Sequence, residues 1–181
     1  MLKITIPERE LYDERTNRFI HAFKGATLHL EHSLVSLSKW ESKWCKPFLT
    51  KNEKTYEETI DYIRCMTLTQ NVDPDAYKYL TNENIIQINK YIESPMTATT
   101  FYEELGGKKS SEQVTSELIY YWMVALNIPF ECQKWHLNRL LTLIKVCNIK
   151  SQPPKKRSKK DLAAHYAKLN ADRRRRLNSK G

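Results

Sequence analysis

Val114-Thr115-Ser116-Glu117-Leu118-Ile119-Tyr120-Tyr121-Trp122-Met123-Val124-Ala125, followed after Asn127-Ile128-Pro129 by the run 131–147, is the most apolar part of the chain. Its period is helical. Val114, Leu118, Tyr121, Trp122 and Ala125 recur at steps of three and four, which predicts one helix. Pro129 ends it, because proline lacks an amide donor and restricts the residue before it. Residues 131–147 predict a second helix, with Cys132, His136, Leu140, Leu143, Ile144 and Cys147 on a broad apolar face. The short connection predicts that the two pack as an antiparallel core hairpin. Ser110 and Gln113 frame a capping box ahead of the first.

Toward the N-terminus the helical signals continue. Leu34, Leu37, Trp40 and Trp44 step by three and four, with Pro47 as a stop. Thr55-Tyr56-Glu57-Glu58 reads as a capping box, in which the Thr hydroxyl takes the N3 amide and Glu58 reaches back to the cap. The helix it opens carries Ile60, Ile63 and Met66 or Thr67 on one face. Asp73-Pro74 joins a good N-cap to a good first helical residue. Residues 82–94 then set Ile85, Ile88 and Ile92 along one side before Pro95. Gly106-Gly107, beside Lys108 and Lys109, is the clearest internal loop.

Leu2-Lys3-Ile4-Thr5-Ile6 alternates instead, with the period of a half-buried strand that Pro7 closes. Thr27-Leu28-His29-Leu30 reads as a second strand with Leu28 and Leu30 on one face. The intervening 8–24 is polar apart from Phe19, Ile20 and Phe23, and a small hairpin or two-stranded edge is expected near the N-terminus. The fold class expected is mainly α: a compact helical domain over residues 1–150 with a small N-terminal β element.

The 181 residues suffice for one domain and an appendage, and 40% hydrophobic residues suffice for a core. Charge is distributed unevenly. Residues 150–181 hold twelve Lys and Arg against two Asp, an excess of +10 in a chain whose net charge is +9. The rest is close to neutral. Gln152-Pro153-Pro154 marks the expected boundary, and 151–181 is a basic tail, flexible or helical, with Leu162, Tyr166 and Leu169 at helical spacing after a Ser158 cap. Two cationic clusters joined by an amphipathic stretch exceed what solubility needs. Such a tail binds nucleic acid by releasing counterions, or an acidic protein surface by screened attraction.

No apolar run is long enough to span a bilayer, and no signal-peptide pattern opens the chain, so it is expected to stay where it is made. Cys45, Cys65, Cys132 and Cys147 are scattered, without a CxxC pair, and read as reduced thiols. No phosphate-cradling glycine loop, nucleophile elbow or HExxH helix is present, and no catalytic residue, cofactor or metal is expected. His29 and His32 are three apart but have no third ligand at a recognisable spacing, which favours surface or strand-edge histidines. Cys132 and His136, among Trp135, Leu137 and Leu140, favour core packing. Trp40 and Trp44, beside Lys39, Lys43 and Lys46, read first as core or interface anchors with snorkelling lysines, and second as a base-stacking platform. Tyr120-Tyr121-Trp122 reads as core, its exposed members as a partner surface. The residues expected to meet a partner are Trp40, Trp44, Lys155, Lys156, Arg157, Lys159, Lys160, Arg173, Arg174, Arg175 and Arg176.

Several stretches belong together as a pattern: Leu28-His29-Leu30-Glu31-His32-Ser33-Leu34 through Trp40-Glu41-Ser42-Lys43-Trp44, Asp61-Tyr62-Ile63-Arg64-Cys65-Met66-Thr67, Pro95-Met96-Thr97-Ala98-Thr99, the block from Glu117 to Leu141, Leu169-Asn170, and the Arg-rich end with Gly181. As a set they resemble small proteins of long-tailed bacteriophages and prophages of Gram-positive bacteria, grouped with the tail assembly chaperones. The resemblance covers nearly the whole chain and brings no catalytic residues. It implies a factor that escorts the tape-measure protein and recruits tail subunits in the bacterial host cytoplasm, with self-association a further expectation. A tail of +10 suits two other roles: a virion structural protein of the neck, tail or capsid lining whose tail contacts DNA or acidic protein, or a free nucleic-acid-binding accessory protein.

Overall fold

The computed structural model describes residues 1–15, 17–50, 52–101, 113–151 and 159–177. It divides into two units, Met1–Cys147 and Asn148–Gly181. The chain is mainly α with a small β element at its N-terminus.

Four strands open the first unit: β1 (Leu2–Ile6), β2 (Arg9–Asp13), β3 (Arg18–Phe23) and β4 (Ala26–Leu30). β1 pairs antiparallel with β4, Leu2 opposite Leu30 and Ile4 opposite Leu28. Period-two alternation puts Ile4, Ile6, Leu28 and Leu30 on one face, all buried. β2 and β3 form a separate antiparallel hairpin. The β element is thus two hairpins nested in sequence, more than the single edge the pattern suggested, because the polar 8–24 segment carries its own pairing.

α1 (Leu34–Trp44) starts at Ser33, whose hydroxyl accepts the Ser36 amide while its own amide donates to the Ser36 hydroxyl. It ends at Cys45, whose left-handed φ of 52° turns the chain away. α2 (Tyr56–Met66) is opened by the Thr55–Glu58 capping box read from sequence. A short 3₁₀ helix over Pro74–Tyr79 follows the Asp73 cap, in place of an α-helix. α3 (Asn82–Glu93) runs from a Thr81 cap to Ser94. After α2 the chain turns along β4: Glu31 N donates to Met66 O at 2.9 Å and Leu68 N to His29 O at 2.8 Å.

α4 is shorter than its periodicity implied. It spans Ser116–Ala125, with Thr115 accepting the Leu118 amide as its cap, so the Gln113 start is displaced, while Ser110 and the Gly106-Gly107 loop fall outside the described residues. Its buried face is Ser116, Ile119 and Met123, not the expected stripe: Tyr121 is 65% exposed and Ala125 is also exposed. Apolar residues lie all round this helix, so period alone does not choose a face.

Residues 131–147 are not one helix either. Phe130–Lys134 is a 3₁₀ turn, and α5 (Leu137–Ser151) begins after a break at Trp135 and His136. The break has a tertiary cause. Leu137 N donates to His32 O at 2.7 Å, and the His136 ring bonds Tyr91 O at 3.0 Å, so both residues are held by distant elements.

Two hydrophobic clusters fill the first unit. One joins Ile4, Ile6, Leu28 and Leu30 to Trp40, Ile60, Ile63, Met66, Ile88 and Tyr91. The other gathers Leu34, Leu37, Ile119, Met123, Leu137, Leu140 and Ile144. α1 is their common wall, sending Trp40 into the first and Leu34 and Leu37 into the second. α1 packs against both α2 and α4, and α4 and α5 share the second cluster, through Ile119 and Met123 of one and Leu137, Leu140 and Ile144 of the other.

In the second unit, α6 (Lys159–Leu177) is one nineteen-residue helix. Residues 163–177 are all exposed.

Candidate interaction surfaces

The residues singled out from sequence part into an interior set and a surface set. Trp40 belongs to the interior. It is 1% exposed, its indole donates to Glu58 O at 2.8 Å, and Phe48 meets its ring edge-on at 5.0 Å. That burial removes it from any partner surface. Trp44, half-buried, stacks on Trp40 at 6.2 Å and donates to Asp61 Oδ2 at 2.9 Å.

Two of the lysines around this pair, Lys43 and Lys46, are already matched with carboxylates of α2. Lys43 pairs with Asp61 Oδ1, and Lys46 Nζ with Glu58 Oε1 at 2.6 Å, while both ammonium groups stay near solvent. The Lys46 bond and the Thr55 amide hold the Glu58 carboxyl below the usual range. This is the snorkelling arrangement, not a phosphate platform, since Asp61 and Glu58 take the positive charge. The outer side of Trp44 lines a cleft of about 470 Å³ with Tyr56, Arg64 and Tyr77, where the Arg64 guanidinium lies 5.1 Å from the Tyr77 ring centre.

His32 is buried, where the sequence favoured a surface or strand-edge histidine. It is 2% exposed, its Nδ1 lies 2.5 Å from the Tyr62 hydroxyl, and the His136 ring stands 5.1 Å away. Burial, then the neighbouring His136, pushes its pKa down to about 3. Burial also lowers His136 and raises the Tyr62 phenol. Asn138 extends the network, its amide nitrogen donating to Ile92 O at 2.9 Å and Ser94 O at 2.8 Å. These polar groups tie α1, α2, α3 and α5 together. His29, on β4, is half-buried, with Nδ1 unpartnered in the described structure. Among the described residues no group of three or more His, Cys, Asp or Glu is placed to hold a metal ion. Cys132 is buried as expected, Cys45 exposed, and all four cysteines are free. No helix among the described residues is long and apolar enough to cross a membrane.

Exposed apolar surface lies elsewhere. On α4, Tyr121 is 65% and Val124 60% exposed, and residues three apart share a helix face. Phe130, just beyond α4, is 55% exposed. On the β2–β3 hairpin, Leu11, Tyr12 and Phe19 are open to solvent, with Tyr12 and Phe19 edge-to-face at 5.2 Å. Tyr121 is thus an exposed member of the Tyr120-Tyr121-Trp122 run, left open as partner surface by the sequence, whereas Val124, Phe130, Leu11 and Tyr12 were not singled out as surface. The available signal was the uniform apolarity of α4, which leaves surplus once one face is buried.

Of the basic residues, Lys155, Lys156 and Arg157 lie outside the described residues. Lys159 and Lys160 begin α6, and Arg173, Arg174, Arg175 and Arg176 stand exposed near its end. At 1.5 Å per residue the two groups are separated by roughly 20 Å along the helix, so α6 does not gather them into one patch. The last three arginines complement the carboxyl end of the helix dipole. No protein-family model matches this chain, and no curated protein or solved structure matches it.

Proposed function

We propose that this protein is a non-catalytic morphogenesis factor of a long-tailed bacteriophage, a tail assembly chaperone that holds the tape-measure protein and tail subunits in the host cytoplasm. The observation that carries this reading is α4, which buries Ile119 and Met123 but leaves Tyr121 and Val124 open along its outer face. Aromatic and aliphatic side chains three apart on a rigid helix suit a client helix laid alongside. The sequence resemblance to tail assembly chaperones supplies the client. The interior polar residues support a structural role for themselves, since Glu58, Asp61, His32 and His136 are each engaged in bonds between elements.

Co-expression with the tape-measure protein of the same phage tests the reading. Co-purification is expected, and Tyr121→Glu with Val124→Glu should abolish it. Failure of the native chain to co-purify would overturn it.

A second reading, a virion structural protein of the neck, tail or capsid lining, is favoured by the exposed Arg173–Arg176 run. Its mark is stoichiometric presence in purified virions by mass spectrometry. A free nucleic-acid-binding accessory protein instead predicts DNA affinity that falls steeply with salt and vanishes without residues 151–181.

A further inference from the structure

β2 ladders with β3 alone among the described residues, with Leu11 opposite Ile20 and Tyr12 opposite Phe19. A lone two-stranded hairpin is at best marginally stable in water. This one keeps Leu11 64%, Tyr12 51% and Phe19 70% exposed. Adjacent strand residues point to opposite sides, so Leu11 and Tyr12 place apolar surface on both faces. The irregularity in the ladder skips Ala22 of β3, and β2 keeps a regular strand spacing.

We propose that β2 is a dimerisation strand, pairing antiparallel with β2 of a second copy of this chain about a two-fold axis at Leu11. The two hairpins then form one four-stranded sheet. The strand reads Arg9-Glu10-Leu11-Tyr12-Asp13. Rotation about Leu11 sets Leu11 on Leu11, Glu10 opposite Tyr12 and Arg9 opposite Asp13. The isologous contact makes this opposite-charge pair twice, once at each end of the ladder.

The neighbouring registers lose this match. An axis at Glu10 opposes two carboxylates directly. An axis at Tyr12 sets Glu10 against Glu14 and Arg9 against Arg15, like charge on like. β3 offers no equivalent, since antiparallel self-pairing over Arg18–Phe23 sets Arg18 against Phe23. In the Leu11 register Glu8 meets Glu14 of the second copy only beyond the ladder ends, where solvent and salt screen it. Added strand pairing also removes an exposed edge.

Sedimentation equilibrium of the full chain, from micromolar to near-millimolar, tests the proposal. The native chain should approach twice the monomer mass. Leu11→Lys and Arg9→Asp should each weaken association by about tenfold or more. Arg9→Asp combined with Asp13→Arg, and with Arg18→Asp to keep opposite charges at the hairpin's own 13–18 position, should restore it, which separates a broken pairing from a broken fold. Directly opposed antiparallel positions lie about 4.5–5.5 Å apart, within disulfide reach. Leu11→Cys in a Cys45→Ser background should therefore cross-link on mild oxidation, and Tyr12→Cys in that background should not. A chain monomeric throughout, a dimer indifferent to Leu11→Lys and Arg9→Asp, or equal cross-linking at positions 11 and 12 would overturn the proposal. Retained tape-measure binding by a monomeric Leu11→Lys chain would leave the chaperone reading standing on α4.

Discussion

The Glu41 carboxylate near the end of α1 accepts the backbone amide of Ser116, 75 residues away, at 2.7 Å. Its other oxygen accepts the Phe48 amide at 2.8 Å. Ser116 is the first residue of α4, so a buried anion from α1 satisfies a donor that the α4 ladder leaves open.

Glu41→Gln should therefore destabilise the first unit by about 2–4 kcal/mol, through loss of a charge-assisted bond and an amide group facing a donor. Exposed Glu57→Gln should stay within about 0.5 kcal/mol. Urea denaturation of the two variants checks this. Equal midpoints would refute the bracing role of Glu41.

Acid should weaken the fold through His32. An unfolded histidine takes up its proton near pH 6.5, whereas His32 in the native chain resists until about pH 3. Between these values the unfolded state binds more protons, so stability falls as pH falls, by about 1.4 kcal/mol per pH unit. The burial-lowered pKa of His136 acts in the same direction. Denaturation midpoints measured from pH 7 to 5 should decline, and His32→Gln should flatten the slope. An unchanged slope would exclude His32 as its source.

What the sequence made legible was local. The Thr55–Glu58 box and α2 emerged from a stretch short enough to read, whereas the Ser33 and Thr81 caps, built on the same three-residue spacing, were not singled out. β1 and β4 were legible because Ile4, Ile6, Leu28 and Leu30 alternate cleanly. What stayed hidden depends on distant partners. The break before Leu137 comes from His32 and Tyr91, and the face of α4 is set by Leu34 and Leu37 of α1. Trp40 and Trp44 had a readable helical step, but Asp61 and Glu58 decide what their lysines do.

Gly25, between β3 and β4, has a φ of +75°, and a Cβ there would stand 3.1 Å from Ile6 O and 3.2 Å from Glu8 N. Both neighbours are backbone. Gly25→Ala should cost about 1–3 kcal/mol, seen as a lower thermal midpoint. A neutral result would mean that the strand connection relaxes freely.

α6 belongs to the second unit, Asn148–Gly181, and Arg173–Arg176 are exposed on it. Replacing Arg173–Arg176 by Gln should leave the thermal midpoint of the helical body unchanged. If the tail meets nucleic acid, the same change should flatten the salt dependence of binding by about 0.9 for each phosphate that is no longer neutralised. A fall in the body's midpoint would instead give the arginines a part in the fold.

Four consecutive arginines on an α-helix advance about 100° each, so Arg173–Arg176 point in nearly every radial direction. They form a collar of positive charge, with no single side to present. A collar of this kind does not read the shape of one flat partner. It suits a yielding, negatively charged strand or loop that wraps around it, and tolerates rotation of the helix within that embrace.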